Sequence, residues 1–135
     1  MKRLAIYILT AMAVVLANGC GSSEADVAAV AGQTALEYYK YLLTDEYDSF
    51  VAGMADADSL PSAYREQMVA NAAMFKKQQN DEHQGIANIE LGHCEAVNDT
   101  STTTAQAYLI MSFGDKTTET VCVPMVRRNG NWYMK

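Results

Sequence analysis

The chain has little of what metal proteins and most hydrolytic enzymes need. Two histidines, His83 and His93, and three cysteines, Cys20, Cys94 and Cys122, are scattered through 135 residues. None falls in a C-x2-C or H-x3-H spacing, so no metal site is expected, and no other cofactor. A Cys94 nucleophile with His93 as its base is excluded on different grounds, because neighbours along a strand point to opposite faces. Basic clusters are missing too. Ten Lys and Arg face sixteen Asp and Glu, a net charge of −6, which argues against nucleic acid or anionic lipid as a partner. No run of like charges occurs, so the acidity reads as a contribution to solubility. The longest apolar run, Leu4 to Leu16, is broken only by Tyr7 and Thr10. It is well short of the ~20 residues a membrane-spanning helix needs.

What that short run does is set by its flanks. Lys2 and Arg3 precede it, and Leu16-Ala17-Asn18-Gly19-Cys20 closes it. A basic start, a short apolar core and small residues before a cut site mark a secretory signal. A cysteine at the cut resembles the lipobox of bacterial lipoproteins, where that Cys takes palmitate-type acyl chains and becomes the mature N-terminus. Ala17 stands where the usual Leu would, with Leu16 one residue early; ordinary cleavage after Ala17-Asn18-Gly19 is the other reading. The lipobox resemblance implies a signal peptide over 1–19, a lipidated Cys20 with a tether over 20–25, and one domain over 26–135. It implies a membrane partner through the lipid on Cys20, in a bacterial cell envelope, facing the periplasm or the cell surface. Loss of Lys2 and Arg3 with the signal would take the net charge from −6 to −8.

The rest divides into a helical half and a β half. Ser23 with Asp26 resembles a capping box. Val27, Val30, Ala31, Thr34, Tyr38, Tyr41 and Leu42 recur at helical spacing to about Leu43. Thr44-Asp45-Glu46 reads as a new N-cap for a shorter helix with Tyr47, Phe50, Val51 and Met54 inward. Ala55 to Leu60 reads as a loop, and Pro61 sits where a first helical turn tolerates proline. A long third helix carries Tyr64, Met68, Ala72, Phe75 and Gln79 on one face, with Gly85 placed to end it. From Ile86 the period becomes 2. Strands are expected over Ala87–Val97, Thr103–Phe113 and Glu119–Arg128, then a short last one through Trp132 and Met134. Ala105, Ala107, Leu109, Met111 and Phe113 alternate onto one face, as do Val121, Val123 and Met125. Asn129-Gly130 is a strong hairpin signal. Pro124 implies an edge, a bulge or a non-bonding position. The expectation is an α+β fold: three N-terminal helices on a curved, meander-type antiparallel sheet of about four strands.

In such a meander Cys94 and Cys122 lie two strands apart, about 9–10 Å, beyond the ~7 Å that a disulfide spans. Cys122 also alternates with Val121 and Val123 and so points away from the helices. Two free thiols are expected, although a secreted protein meets conditions that permit a Cys94–Cys122 disulfide.

Pro61-Ser62-Ala63-Tyr64-Arg65-Glu66-Gln67, Phe75 with Gln78-Gln79, and Gly85-Ile86 occur in order. Val123-Pro124-Met125-Val126, Asn129-Gly130 and Trp132-Tyr133-Met134-Lys135 follow. Together they resemble small Bacteroidota lipoproteins with a nuclear transport factor 2-like (cystatin-like) domain of unknown function. The resemblance implies helices packed into the concave face of a curved sheet, with a pocket between them. Its wider superfamily includes ketosteroid isomerase-like and dehydratase enzymes beside members that only bind or scaffold. No catalytic signature of that superfamily transfers residue by residue.

General acid–base chemistry needs a carboxylate held in an apolar pocket, and Glu37 and Glu90 are expected to be exposed instead. Tyr38, Tyr41, Tyr47, Phe50, Tyr64, Phe75 and Trp132 fall on faces read as inward. Aromatics with a polar tip suit a pocket wall as well as a filled core. Eight methionines read as adaptable packing. Asn98-Asp99-Thr100 is an N-glycosylation sequon by pattern, silent in a bacterium. Asp58-Ser59-Leu60 resembles a Bacteroidota O-glycosylation triplet. The leading expectation is a non-catalytic binding module for a small apolar ligand or a protein partner. An isomerase- or dehydratase-like enzyme is the second. A homodimer through an outer sheet face of Tyr108, Ile110, Cys122 and Val126 is the third.

Overall fold

Helices come first and strands after. In the computed structural model, residues 24–97 and 103–135 are described; the signal segment, Cys20 and the Asn98-Asp99-Thr100 sequon lie outside them. The elements are α1 (Glu24–Lys40), α2 (Tyr47–Ala52), α3 (Ser62–His83), β1 (Ile86–Ala96), β2 (Thr104–Phe113), β3 (Thr118–Arg128) and β4 (Asn131–Met134). The sheet is a four-stranded antiparallel meander in the order β1-β2-β3-β4. All three helices lie on its concave side. No described helix is long and apolar enough to cross a membrane.

The inner face follows the period-2 pattern. Ala105, Ala107, Leu109, Met111 and Phe113 of β2 are all buried, facing Val123 and Met125 of β3 and Trp132 and Met134 of β4. Registry pairs Ala107 with Val123 and Met125 with Met134, so each layer of the core meets an apolar partner. Asn129 and Gly130 both take positive φ, 52° and 80°, the two-residue hairpin turn that matches strand twist. Pro124 sits in mid-sheet without disruption. Its carbonyl accepts from Lys135 at 2.9 Å, so its nitrogen also faces the β4 side, just past the end of that strand.

The helices depart further from the sequence pattern. In α1 the buried residues are Ala28, Ala31, Gly32, Ala35 and Leu36, while Val30 is 56% exposed. The stripe is rotated because small residues let α1 lie close on β1; a Cβ on Gly32 would sit 2.8 Å from Cβ of Cys94. The helix ends at Lys40 and then tightens into i→i+3 bonds from Tyr41, Leu42 and Leu43. Thr44 bonds the Glu46 carboxylate, and Glu46 becomes the N-cap of α2 without a side-chain cap. The 55–60 segment holds one 3-10 turn, Ala57–Ser59, where Ser59 Oγ donates to the Asp56 carbonyl. Pro61 is the N-cap of α3, and two left-handed residues, Gln84 and Gly85, stop that helix.

The two sheet edges differ. Beside β4 the strand pairing continues: Ala55 N–H donates to Met134, and Met134 N–H to Gly53, around a parallel bridge from Met54 to Met134. Strand β1 borders only β2 and breaks register twice, at 86/88 and 91/93, where bulges bend it.

Candidate binding cleft

The turn after α1 is the anchor of the cleft. Lys76 of α3 reaches across to it, donating to the Leu43 carbonyl at 3.2 Å and pairing with Asp45. Tyr47 Oη also donates to Asp45, at 3.0 Å. The Lys76 ammonium, then the Tyr47 hydroxyl, hold the Asp45 carboxyl below its ordinary range. This clasp spans the middle of α3, a helix with only Ala72 and Gln79 buried. Its far end is fixed separately. His83 Nδ1 lies 2.9 Å from Asp115, and the His83 ring stacks on Phe113 at 4.7 Å. The Thr117 hydroxyl and N–H, followed by His83, pull Asp115 down to about 2.

Between the clasp and the sheet lies a cavity of about 260 Å³, lined by Tyr39, Leu42, Phe50, Ala72, Phe75, Glu119 and Val121. Tyr39 and Phe50 meet edge to face, centroids 5.3 Å apart. Burial raises the Tyr39 hydroxyl above its ordinary pKa, so it stays neutral. Phe75 is 36% exposed and stands at the mouth. Glu119 pairs in register with buried Met111, which puts its side chain on the inner side of the sheet. Gln79, one turn along α3 from Phe75, is buried with its Oε1 unpartnered.

Of the seven aromatics read as inward, Phe50 and Phe75 line this cleft. Trp132 is buried and lines a smaller hollow of about 140 Å³ with Asp26, Val27, Val30, Arg127 and Gly130. Tyr38 packs on the core and donates to the Trp132 carbonyl at 2.9 Å. Tyr41 lines a shallow surface hollow with Glu37 and Lys40, and Tyr47 serves the Asp45 clasp. Tyr64, near the start of α3, is 56% exposed. Tyr39, Leu42, Ala72, Glu119 and Val121 complete the wall. Four of these had a signal in the sequence: Leu42 and Ala72 lie on the expected helical stripes, and alternation from Val123 back through Val121 reaches Glu119. Tyr39 had none, since only the rotation of α1 turns it inward.

The thiols are free and on opposite faces. Cys94 pairs with Ala107 on the inner side, and burial raises its pKa; Cys122 pairs with Tyr108 on the exposed outer side. His93 stacks on Tyr108 at 4.4 Å on that outer face. Among the described residues no three His, Cys, Asp or Glu side chains gather as a metal would need. Glu37 and Glu90 are exposed.

No family model and no curated protein matches the sequence. The architecture does match a crystal structure from Campylobacter jejuni, provisionally described as an NTF2-like transpeptidase. The TM-score is 0.54 at 16% identity, over 76% of this chain and 94% of that one. The fold is NTF2-like. At that identity the likeness carries the fold alone. In this chain Tyr39, Phe50 and Phe75 stand together between the helices and the inner face of the sheet.

Proposed function

We propose that this chain is a lipid-anchored protein of the bacterial cell envelope, of the small Bacteroidota lipoprotein type, that binds a small apolar ligand in its cleft without transforming it. The observation that carries the reading is the wall of Tyr39, Leu42, Phe50, Ala72, Phe75 and Val121 around about 260 Å³. Such a wall suits a largely apolar molecule, slightly below the usual size of a ligand pocket. Anchoring rests on Lys2 and Arg3, the apolar run to Leu16, and Cys20 at the cut. The one carboxylate in the wall, Glu119, is exposed, whereas proton transfer in an isomerase- or dehydratase-like site calls for a desolvated acid or base. That favours binding over catalysis.

The test is intact mass, native against denaturing, on protein purified from its own membranes. Acyl chains on a chain beginning at Cys20, and extra mass retained only in the native spectrum, are the expected results. Phe75→Ala and Tyr39→Ala should each strip the retained mass. An unmodified chain beginning at Cys20 refutes the anchor. A clean native mass at every ligand-saving condition refutes the cleft and leaves a protein partner on the outer sheet face.

A further inference from the structure

The electrostatics of the cleft are one-sided. Its wall holds three aromatic rings and a single ionised group, the Glu119 carboxylate. The cation on the adjoining turn of α3, Lys76, is already engaged by Asp45 and the Leu43 carbonyl. The whole chain is acidic, at −6, which adds to the negative potential at the mouth. Aromatic faces attract cations through their quadrupole, the more so where water is excluded. The Tyr39 and Phe50 rings stand at 89° to one another, and Phe75 closes a third side. An anion entering here would meet Glu119 with no basic partner among the lining residues.

We propose that the cleft selects a small organic monocation, an aryl- or alkylammonium, its apolar body among Tyr39, Phe50 and Phe75 and its ammonium turned to Glu119. This rests on the reading of the cleft as a ligand site. The size follows from the volume: about 260 Å³ at ~30 Å³ per water-sized group accommodates roughly nine non-hydrogen atoms. Phenethylammonium is of that size, and 2-phenylethanol is its neutral counterpart. 3-Phenylpropanoate supplies the opposite charge on a similar frame.

Each of the three compounds is titrated by ligand-observed NMR against the full chain in nanodiscs of zwitterionic lipid, with empty discs as the blank. Phenethylammonium should bind about 3- to 30-fold more tightly than 2-phenylethanol, the span expected of one cation–π and ion-pair contribution, and 3-phenylpropanoate most weakly. Glu119→Gln should erase much of the preference for the ammonium over the alcohol. Equal affinities for all three, each weakened by Phe75→Ala, would overturn the charge selection while the cleft stands. So would a Glu119→Gln chain that keeps the full preference. Binding by none of the three would overturn the cleft itself.

Discussion

Replacing Gly53 with alanine isolates one packing contact from every backbone effect. Gly53 has φ −77° and ψ −6°, a conformation open to any residue. By backbone entropy alone the change would stabilise by about 0.5–1 kcal/mol. The new Cβ, however, would lie 2.6 Å from both Cε1 and Cγ of Tyr38, far inside the 3.5–4.0 Å of an ordinary carbon contact. Neither side can yield freely. The Tyr38 hydroxyl is tied to the Trp132 carbonyl at 2.9 Å, and the Gly53 carbonyl accepts from Met134 at 2.8 Å. Overpacking costs about 1–3 kcal/mol, and losing the Tyr38 hydrogen bond about 1 kcal/mol more. The net destabilisation is then about 1–3.5 kcal/mol, or roughly 4–14 °C in Tm for a domain of this size. Thermal and urea unfolding followed by circular dichroism would measure it. Tyr38→Ala removes the obstructing ring, so Gly53→Ala should cost nothing further in that background. The coupling energy of the double-mutant cycle should be about 2 kcal/mol. Strict additivity, or a Gly53→Ala protein as stable as the parent, would refute the argument.

Other outcomes follow from the same structure. Asp115 drops from 3.8 to about 2 on folding, so its carboxylate's stabilisation is whole above 3.8 and fades as pH falls toward 2. The Tm gap between wild type and Asp115→Asn should be widest near neutral pH and close near pH 2; a constant gap would contradict it. Gln79 is buried with Oε1 unpartnered, so Gln79→Met should leave stability equal or raise it by about 1 kcal/mol in urea unfolding. A loss of more than about 1 kcal/mol would mean that the amide is satisfied in solution. Leu109 is fully buried in mid-sheet, and Leu109→Ala should cost about 2–5 kcal/mol; a loss under about 1 kcal/mol would show a core able to collapse around the gap.

The strands were more legible than the helices for a geometric reason. On a strand a residue faces one way or the other, so reading Val121 and Val123 as inward fixes Met125 and Glu119 as well. On a helix the facing angle is continuous, and large residues bias its reading. Val30 and Tyr38 drew the expected α1 stripe toward themselves, whereas Ala28, Ala31, Gly32 and Ala35 set it, because only small side chains let the backbone approach β1. The same rotation brings Tyr39 into the cleft. Lys76 and Asp45, 31 residues apart, carry no local signature of the clasp they form. Neither do His83 and Asp115, which meet only when α3 and the β2–β3 hairpin have docked.

The unequal edges of the sheet bear on how the protein behaves in a crowd. Copies held at one surface would meet far more often than copies free in solution, and an exposed, regular strand would recruit its neighbours into a growing ladder. Beside β4 that ladder is already filled by the Gly53–Ala55 backbone. Along β1 the two register breaks leave no straight stretch of the kind a second strand needs. A domain built this way tolerates confinement: it can be concentrated without templating its own aggregation, leaving its outer sheet face and its cleft as the places where contact is selective.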